Sequence, residues 1–402
     1  MKKWFKITLS TVILIGLLLG SFYLGNKIAI DNGNKVVIDK EEYDIFSKLD
    51  SFKDIVDEYF LFDIKDEDLK TSTYKGFFNG LGDPYTEYMT EEEYEKLVES
   101  SSGEYSGIGV YITVTDDNLI KVISPIKGSP AFNSGIQPGD IIAQVNGETF
   151  TGDQLNDAMA IMKGKPGDKV TIGIKRLSED GSYEDLEVNV TVDIVELKTV
   201  EYSKVDNLGY ILISQFGEKT YEEFVEGYNS LKDDKVNGII LDLRNNPGGL
   251  KDTCVEIADF LLPEGPIVKT VDKNGNEDIS KSDPKEENLP MVVLVNNNSA
   301  SASEILAGAI QDYEKATIVG STTYGKGLVQ TLAPLKTFGI NDNGALKITI
   351  QEYFTPKDRK INEVGVKPDK EVEMPENTTE YGIEHLDTDI QLKTAIDILA
   401  NS

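Results

Sequence analysis

The chain is 402 residues long, enough for several modules of ordinary size, and its 39 % hydrophobic and 27 % charged content is that of a globular protein rather than a disordered or polytopic membrane chain. Its 40 Lys and Arg against 70 Asp and Glu give a formal charge of -30, which repels phosphate backbones and anionic lipid surfaces and turns the expectation from nucleic acid to protein partners. One Cys, Cys254, and one His, His385, leave no intramolecular disulfide, no Cys/His zinc site and almost no His-dependent catalysis, so acid-base work at neutral pH falls to carboxylates or to a lysine of lowered pKa.

The basic start Met1-Lys-Lys-Trp-Phe-Lys6 precedes an uncharged stretch, Ile7 to Gly25, of about 19 residues, close to the length that spans a bilayer. It has no Ala-x-Ala-like cleavage site before Asn26 and no Cys for lipidation, so 1–25 reads as an uncleaved signal anchor. Lys2, Lys3 and Lys6 then stay in the cytoplasm, and the rest of the chain, with no second apolar span, is placed on the extracytoplasmic side of the cell membrane. A polar linker over 26–40 leads to a helical stripe at Ile45, Phe46, Leu49, Phe52, Ile55, Val56, Tyr59 and Phe60. Further helices are expected over Asp66–Leu81 and Glu91–Ser100, separated by the breaker Gly82-Asp83-Pro84, giving an N-terminal helical unit over 41–102 for packing or dimerisation.

From Gly103 the texture becomes β-rich. Gly107-Ile108-Gly109-Val110 and, further on, Gly135-Ile-Gln-Pro-Gly-Asp-Ile-Ile-Ala-Gln-Val-Asn-Gly147 together resemble a PDZ domain, expected over 103–180 with a helix at Gln154 to Lys163. The resemblance implies that Gly107, Ile108, Gly109 and Val110 form a loop for a peptide's terminal carboxylate, beside an open strand edge that takes the peptide as an added strand.

From about Val195 strand-like and helix-like segments alternate, as in an α/β core. Gly209–Ser214 is strand-like, Tyr221–Leu231 helical, and Gly238-Ile-Ile-Leu-Asp-Leu-Arg244 runs into Asn-Asn-Pro-Gly-Gly249 and a helix over Leu250–Leu261. A second buried strand, Met291–Asn296, runs into Asn297-Asn-Ser-Ala-Ser-Ala-Ser-Glu304 and a helix over Ile305–Tyr313. Such strand-to-helix loops are where open α/β sheets build their sites. Ser299, Ser301 and Ser303 are open here as nucleophiles or as helix caps, and Lys326, between Gly325 and Gly327, as a base or a solvated loop residue.

These segments, with Gly365-Val-Lys-Pro-Asp369, resemble the carboxyl-terminal processing proteases, serine endopeptidases with a Ser-Lys pair. The resemblance covers all but the N-terminal anchor and linker. It implies an α/β core of the crotonase and Clp protease type over 195–375, with an inserted PDZ domain and a C-terminal segment, 376–402, able to dimerise. It also implies Ser301 as nucleophile, Lys326 as general base, Gln330 orienting the lysine, and the amides of Gly249 and Ala302 as the oxyanion hole. No cofactor or metal is implied. Protein C-terminal tails are the expected substrates, the PDZ domain concentrating and gating them, with homodimerisation and a regulatory protein partner as further expectations. The chemistry is consistent: burial can push a lysine from about 10.4 toward neutrality, and helix-initial amides lack intrahelical acceptors. Gln330, four residues from Lys326, would sit about 13 Å away in an extended strand and close by in a helix. Glu304 is expected to complement its helix N-terminus, Asp242 and Arg244 to pair, and Cys254 to be a small buried residue. The competing classes are a noncatalytic, membrane-anchored PDZ scaffold and a crotonase-like acyl transferase.

Overall fold

The computed structural model describes residues 40–178, 180–375, 378 and 381–401. The anchor expected over 1–25 and the linker expected over 26–40, apart from Lys40, lie outside them; among the described residues no helix is long and apolar enough to cross a membrane. Chain contacts divide into a unit up to Gly76 and a second from Phe77 onward. In the first, helix α1 (Lys40–Tyr59) carries the expected apolar stripe, with Ile45, Phe46, Phe52 and Ile55 exposed, and Lys53 bridges Asp57 and Asp66. Helix α2 (Asp66–Asn79) follows.

The second unit opens with strand β1 (Glu87–Met89) and helix α3 (Glu91–Ser102), which Thr90 and Glu93 start with a reciprocal capping box and Gly103 ends at φ 70°. Strands β2 (Glu104–Gly107), β3 (Val110–Val114) and β4 (Ile120–Pro125), the short helix α4 (Pro130–Asn133), strands β5 (Ile141–Val145) and β6 (Glu148–Thr149), helix α5 (Leu155–Met162), and strands β7 (Lys169–Leu177), β8 (Tyr183–Thr191) and β9 (Asp193–Glu196) come next. An antiparallel sheet in the order β3-β4-β5-β7-β8, with β6 on β5, packs Ile108, Val122, Ile142, Ile172 and Ile174 against Ala158 and Met162 of α5. This sheet does not stop at 180: Gly181, at φ 83°, turns a hairpin, and β8 pairs with β7 along nine residues. The domain end expected at 180 therefore falls in a turn between two paired strands. Strands β2 and β9 pair with each other at its base.

The remainder is the α/β core. Strands β10 (Val200–Val205) and β11 (Leu208–Ile213), helix α6 (Thr220–Asp233), strand β12 (Ile239–Asp242), helix α7 (Lys251–Leu261), strands β13 (Gly265–Asp272), β14 (Glu277–Ser282) and β15 (Met291–Val295), helix α8 (Ala302–Asp312), strands β16 (Thr317–Gly320), β17 (Leu328–Pro334), β18 (Ala345–Phe354) and β19 (Lys370–Glu371), and helix α9 (Ile390–Ala400) follow in order. The main sheet runs β10-β11-β12-β15-β16-β19, parallel from β11 to β19, and β12 and β15 are wholly buried apolar runs apart from Asp242, as a sheet covered on both faces requires. One face packs α6, α7 and α8 around Phe224, Tyr228, Ile257 and Leu306, and the other takes α9 on Ile240, Val292 and Leu294. A second, antiparallel sheet, β1-β18-β13-β14 with β17 on β18, brings Tyr353 of β18 into the same core as α8.

Candidate active site

Strands β12 and β15 are neighbours, and the loops that leave their carboxyl ends meet. The loop after β15 presents three serines. Ser299 and Ser303 are fully buried and donate to main-chain carbonyls, Ser299 Oγ to Leu243 O at 2.7 Å and Ser303 Oγ to Asn246 O at 3.0 Å. Ser301, the residue before α8, is half-buried and lines a cavity of about 340 Å³. It holds φ 56°, ψ -114°, a conformation that costs a non-glycine residue about 1–3 kcal/mol and persists only where its surroundings impose it.

The loop after β12 supplies the facing wall. Buried Asn246 donates to Ile213 O and accepts from Gly248 N, while its own carbonyl accepts from Ala300 N, so one side chain and one peptide fix both loops. Gly248 has φ 103°, and a Cβ there would lie 2.8 Å from Ser301 Cβ; one on Gly249, at φ 141°, would lie 2.2 Å from Phe216 O. Only glycine permits this approach. Gly249 and Ala302 line the cavity, and among the described residues neither N–H makes a hydrogen bond. Cys254 of α7 sits fully buried beneath, with Sγ 3.1 Å from Ala302 O, and burial pushes its thiol pKa up.

Lys326 comes from the segment after β16. Its flanking glycines lie against 362–365: a Cβ on Gly327 would meet Asn362 N at 2.2 Å, and Gly325 holds φ 88°. Nζ is 4.7 Å from the centre of the Tyr85 ring. Burial first, and the charge of Lys347 second, lower the Lys326 pKa, against the attraction of Asp83 and Glu304. Among the described residues no hydrogen bond joins Nζ to Ser301 Oγ, although both residues line the cavity. Gln330 lines it too, but from β17, beyond a bulge between Val329 and Gln330, and its Nε2 donates to Thr349 Oγ1 at 3.2 Å rather than to the lysine. Among the described residues no hydrogen bond joins Gln330 to Lys326.

Glu304 does more than complement a helix end. It is fully buried, and its Oε2 accepts from the N–H of Ser301 at 2.8 Å and of Lys326 at 2.9 Å, while Oε1 accepts from Thr323 Oγ1 and Gly325 N, both at 2.6 Å. One carboxylate therefore ties the serine segment to the lysine segment. Its spacing three residues after a helix start was the available signal, but only the fold brings the second segment to it.

His385 lies in a short 3-10 turn, Ile383–His385, and does not line this cavity. Asp242 and Arg244 do pair, with Asp389 as a third, buried member. Among the described residues no group of three His, Cys, Asp or Glu side chains is placed to hold a metal.

A second groove, about 270 Å³, lies in the β-rich domain. Ile108, Gly109 and Val110 line it with Ile112, Met159 and Met162; Gly107 does not, since it pairs with Asp193 in β9 and with Lys163. Gly109 has φ 79°, and a Cβ there would meet Ser129 Cβ at 2.3 Å. Helix α3 adds a wall through Lys96, Glu99 and Ser100, beside Tyr105, Lys163 and Leu197, and Glu99 bridges Lys163 at 2.8 Å.

Residues 207–372 match the model for Peptidase family S41, and residues 106–192 that for the PDZ domain. The chain is 39 % identical over 301 residues to the carboxy-terminal-processing protease of Bartonella bacilliformis, covering 73 % of this chain and 67 % of that protein. It is 36 % identical over 326 residues to the carboxyl-terminal-processing protease of Synechocystis sp., covering 79 % and 74 %. It is 32 % identical over 381 residues to carboxy-terminal processing protease CtpA of Bacillus subtilis, covering 94 % and 78 %. Among solved structures, a putative S41 protease from Bacteroides fragilis shares the fold at TM-score 0.53 and 16 % identity, over 81 % of this chain and 90 % of that one.

Proposed function

The chain belongs to the carboxy-terminal processing proteases of peptidase family S41 and is a serine-type peptidase acting on protein substrates with C-terminal tails, and from that premise we propose that it works through Ser301 and Lys326. The observation that carries the proposal is the single cavity of about 340 Å³ that gathers Ser301, Lys326, Gly249 and Ala302 while Ser299 and Ser303 are turned into main-chain hydrogen bonds.

Neutral Lys326 takes the Ser301 hydroxyl proton as Oγ attacks the scissile carbonyl. The tetrahedral oxyanion is held by the N–H groups of Gly249 and Ala302, and losing one such donor costs about 10²-fold in rate or more. The lysine returns its proton to the leaving amine, and water attacks the acyl-enzyme by the same relay. For this, Nζ must swing from the Tyr85 ring to Oγ, the kind of tightening that substrate binding brings about in apo sites. Gln330, on the same cavity, is assigned to the lysine in that engaged position.

The substrate tail docks in the groove of Ile108, Gly109 and Val110, with its last side chain on Met159 and Met162. The anchor over 1–25 places the enzyme on the outer side of the cell membrane, its sequence being the support. A homodimer is supported by the exposed apolar stripe of α1, and a regulatory protein by the open groove.

The deciding experiment compares full-length protein in detergent with its Ser301→Ala and Lys326→Ala variants on an unfolded substrate with an apolar tail, carboxylate free or amidated. The expected result is cleavage by the parent alone, slower on the amidated tail. Equal cleavage by the Ser301→Ala variant removes Ser301 from the mechanism, and equal rates on both tails remove the groove from recognition.

A further inference from the structure

Tyr353 is 1 % exposed, in the middle of the core, yet its hydroxyl is aimed at main chain of the active site. The phenol oxygen is 2.5 Å from the carbonyl oxygen of Lys326 and 3.0 Å from that of Ser301. A phenol has one proton to donate. The Ser301 carbonyl already accepts from Glu304 N at 2.8 Å and Ile305 N at 3.0 Å, whereas the Lys326 carbonyl has no other donor among the described residues. The proton therefore goes to Lys326. Burial pushes the phenol pKa far above neutrality, so the group stays a donor wherever the enzyme works. The Tyr353 N–H also donates to Gly327 O at 2.9 Å, so one residue grips two successive carbonyls of the lysine segment.

With Glu304 this makes a closed frame. Lys326 is held by its N–H to Glu304 and by its carbonyl to Tyr353, and both clamping side chains also touch the main chain of Ser301. The lysine side chain is left to swing between the Tyr85 ring and the cavity while its main chain stays fixed. We propose that Tyr353 is a positioning residue for catalysis, its hydroxyl fixing the distance from which Lys326 reaches Ser301. A base displaced by about 1 Å loses on the order of 10²-fold, so the hydroxyl matters to the chemical step and not to substrate affinity.

The inference rests on the Ser301 and Lys326 assignment, and its test separates the two. Tyr353→Phe keeps the ring in the core and removes only the oxygen. Tyr228→Phe is the control: Tyr228 is equally buried, in the same core, and its hydroxyl accepts from Leu289 N at 3.4 Å and bonds to Glu287 rather than to the main chain of Ser301 or Lys326. In the full-length protein, kcat and KM on a tailed substrate and the rate of covalent labelling by a fluorophosphonate are measured with the melting temperature, beside Ser301→Ala and Lys326→Ala. Tyr353→Phe is expected to lower kcat and the labelling rate about tenfold or more with KM within about threefold, and Tyr228→Phe to change neither. Activity in Ser301→Ala or Lys326→Ala would sink the assignment itself. If those two are inactive and Tyr353→Phe keeps the parent kcat, or loses it only to the extent that Tyr228→Phe does, or fails to fold, Tyr353 is a core residue and the inference is wrong.

Discussion

A lysine can serve as a base only in the fraction of molecules where it is neutral, and the groups around Lys326 set that fraction. Burial and the positive charge of Lys347 lower its pKa, while Asp83 and Glu304 oppose them. Lys347 lines the cavity and is bridged to Glu87 at 3.0 Å; Asp83 accepts from Tyr85 N and Thr86 Oγ1 at the neighbouring turn. On the proposed mechanism, activity should rise with pH as Lys326 loses its proton. Lys347→Met removes a charge that drives the proton off, so the acidic limb of kcat/KM moves to higher pH; Asp83→Asn removes one that keeps it on, so the limb moves to lower pH. A shift of about half a unit changes the rate on the limb about threefold. Limbs that move together, or not at all, in full pH profiles of the two variants would show that another group titrates. The serine-rich loop and the glycine-flanked lysine were legible in the sequence, while only the resemblance singled out Ser301 among the three serines and Lys326 as a base. The clamps on them were not: Glu304 and Tyr353 are 22 residues before and 27 residues after Lys326, and only the packing of α8 against β18 brings them together.

Helix α3 shows how much an element can do that its periodicity does not announce. The sequence places a helix at Glu91–Ser100, and the structure continues it to Ser102. What pattern alone could not give is that Lys96, Glu99 and Ser100 wall the proposed tail groove while Leu97 and Ser101 line the proposed catalytic cavity, two adjacent faces of one helix on two cavities. The end of the helix is fixed to the core by Ser100 O, which accepts from Gln215 Nε2 at 2.9 Å, and by Ser101 O, which accepts from Glu218 N at 3.1 Å. In the groove, Glu99 holds Lys163, a cation that a tail carboxylate would also seek. Glu99→Gln removes both the competitor and its repulsion of the incoming carboxylate. For a partly exposed pair worth about 0.2–1 kcal/mol, tail peptides should bind about 1.5- to 5-fold more tightly, and Lys163→Gln should bind them more weakly. Fluorescence anisotropy with a labelled peptide, free or amidated, reads this; an unchanged or weaker affinity in Glu99→Gln would place the carboxylate elsewhere.

Across the whole molecule, one buried cluster joins the middle of the main sheet to the end of the chain. Arg244, just after β12, donates from both terminal nitrogens to Asp389, at 3.0 and 2.8 Å, and is bound on its other side by Asp242. Asp389 is also the cap of α9, accepting from Leu392 N at 2.9 Å, and accepts from Gly382 N at 2.8 Å. The expected pairing of Asp242 with Arg244 was readable from their spacing at a strand end. The third member lies 145 residues further on, where no local signal marks it. Such a cluster is weak evidence for net stability, but removing one member leaves a buried charge short of its partner, so Asp389→Ala should cost about 3–5 kcal/mol and loosen α9 from the sheet. Replacing all three together, Asp242 by Leu, Arg244 by Met and Asp389 by Leu, should recover part of that loss, because no buried charge is then left stranded. The pH dependence follows from Asp389 itself. Burial works to raise its pKa, but the hydrogen bonds and charge of Arg244 outweigh this and hold it below the ordinary carboxylate value. A carboxylate depressed in the folded state gives its full stabilisation above the unfolded value, about 3.9, and loses it as pH falls through the folded one. The stability gap between parent and Asp389→Asn, read from denaturant midpoints, should therefore be constant at neutral pH and narrow below about pH 4. A gap that widens in acid would mean that Asp389 is protonated in the folded protein and that Asp242 alone balances Arg244.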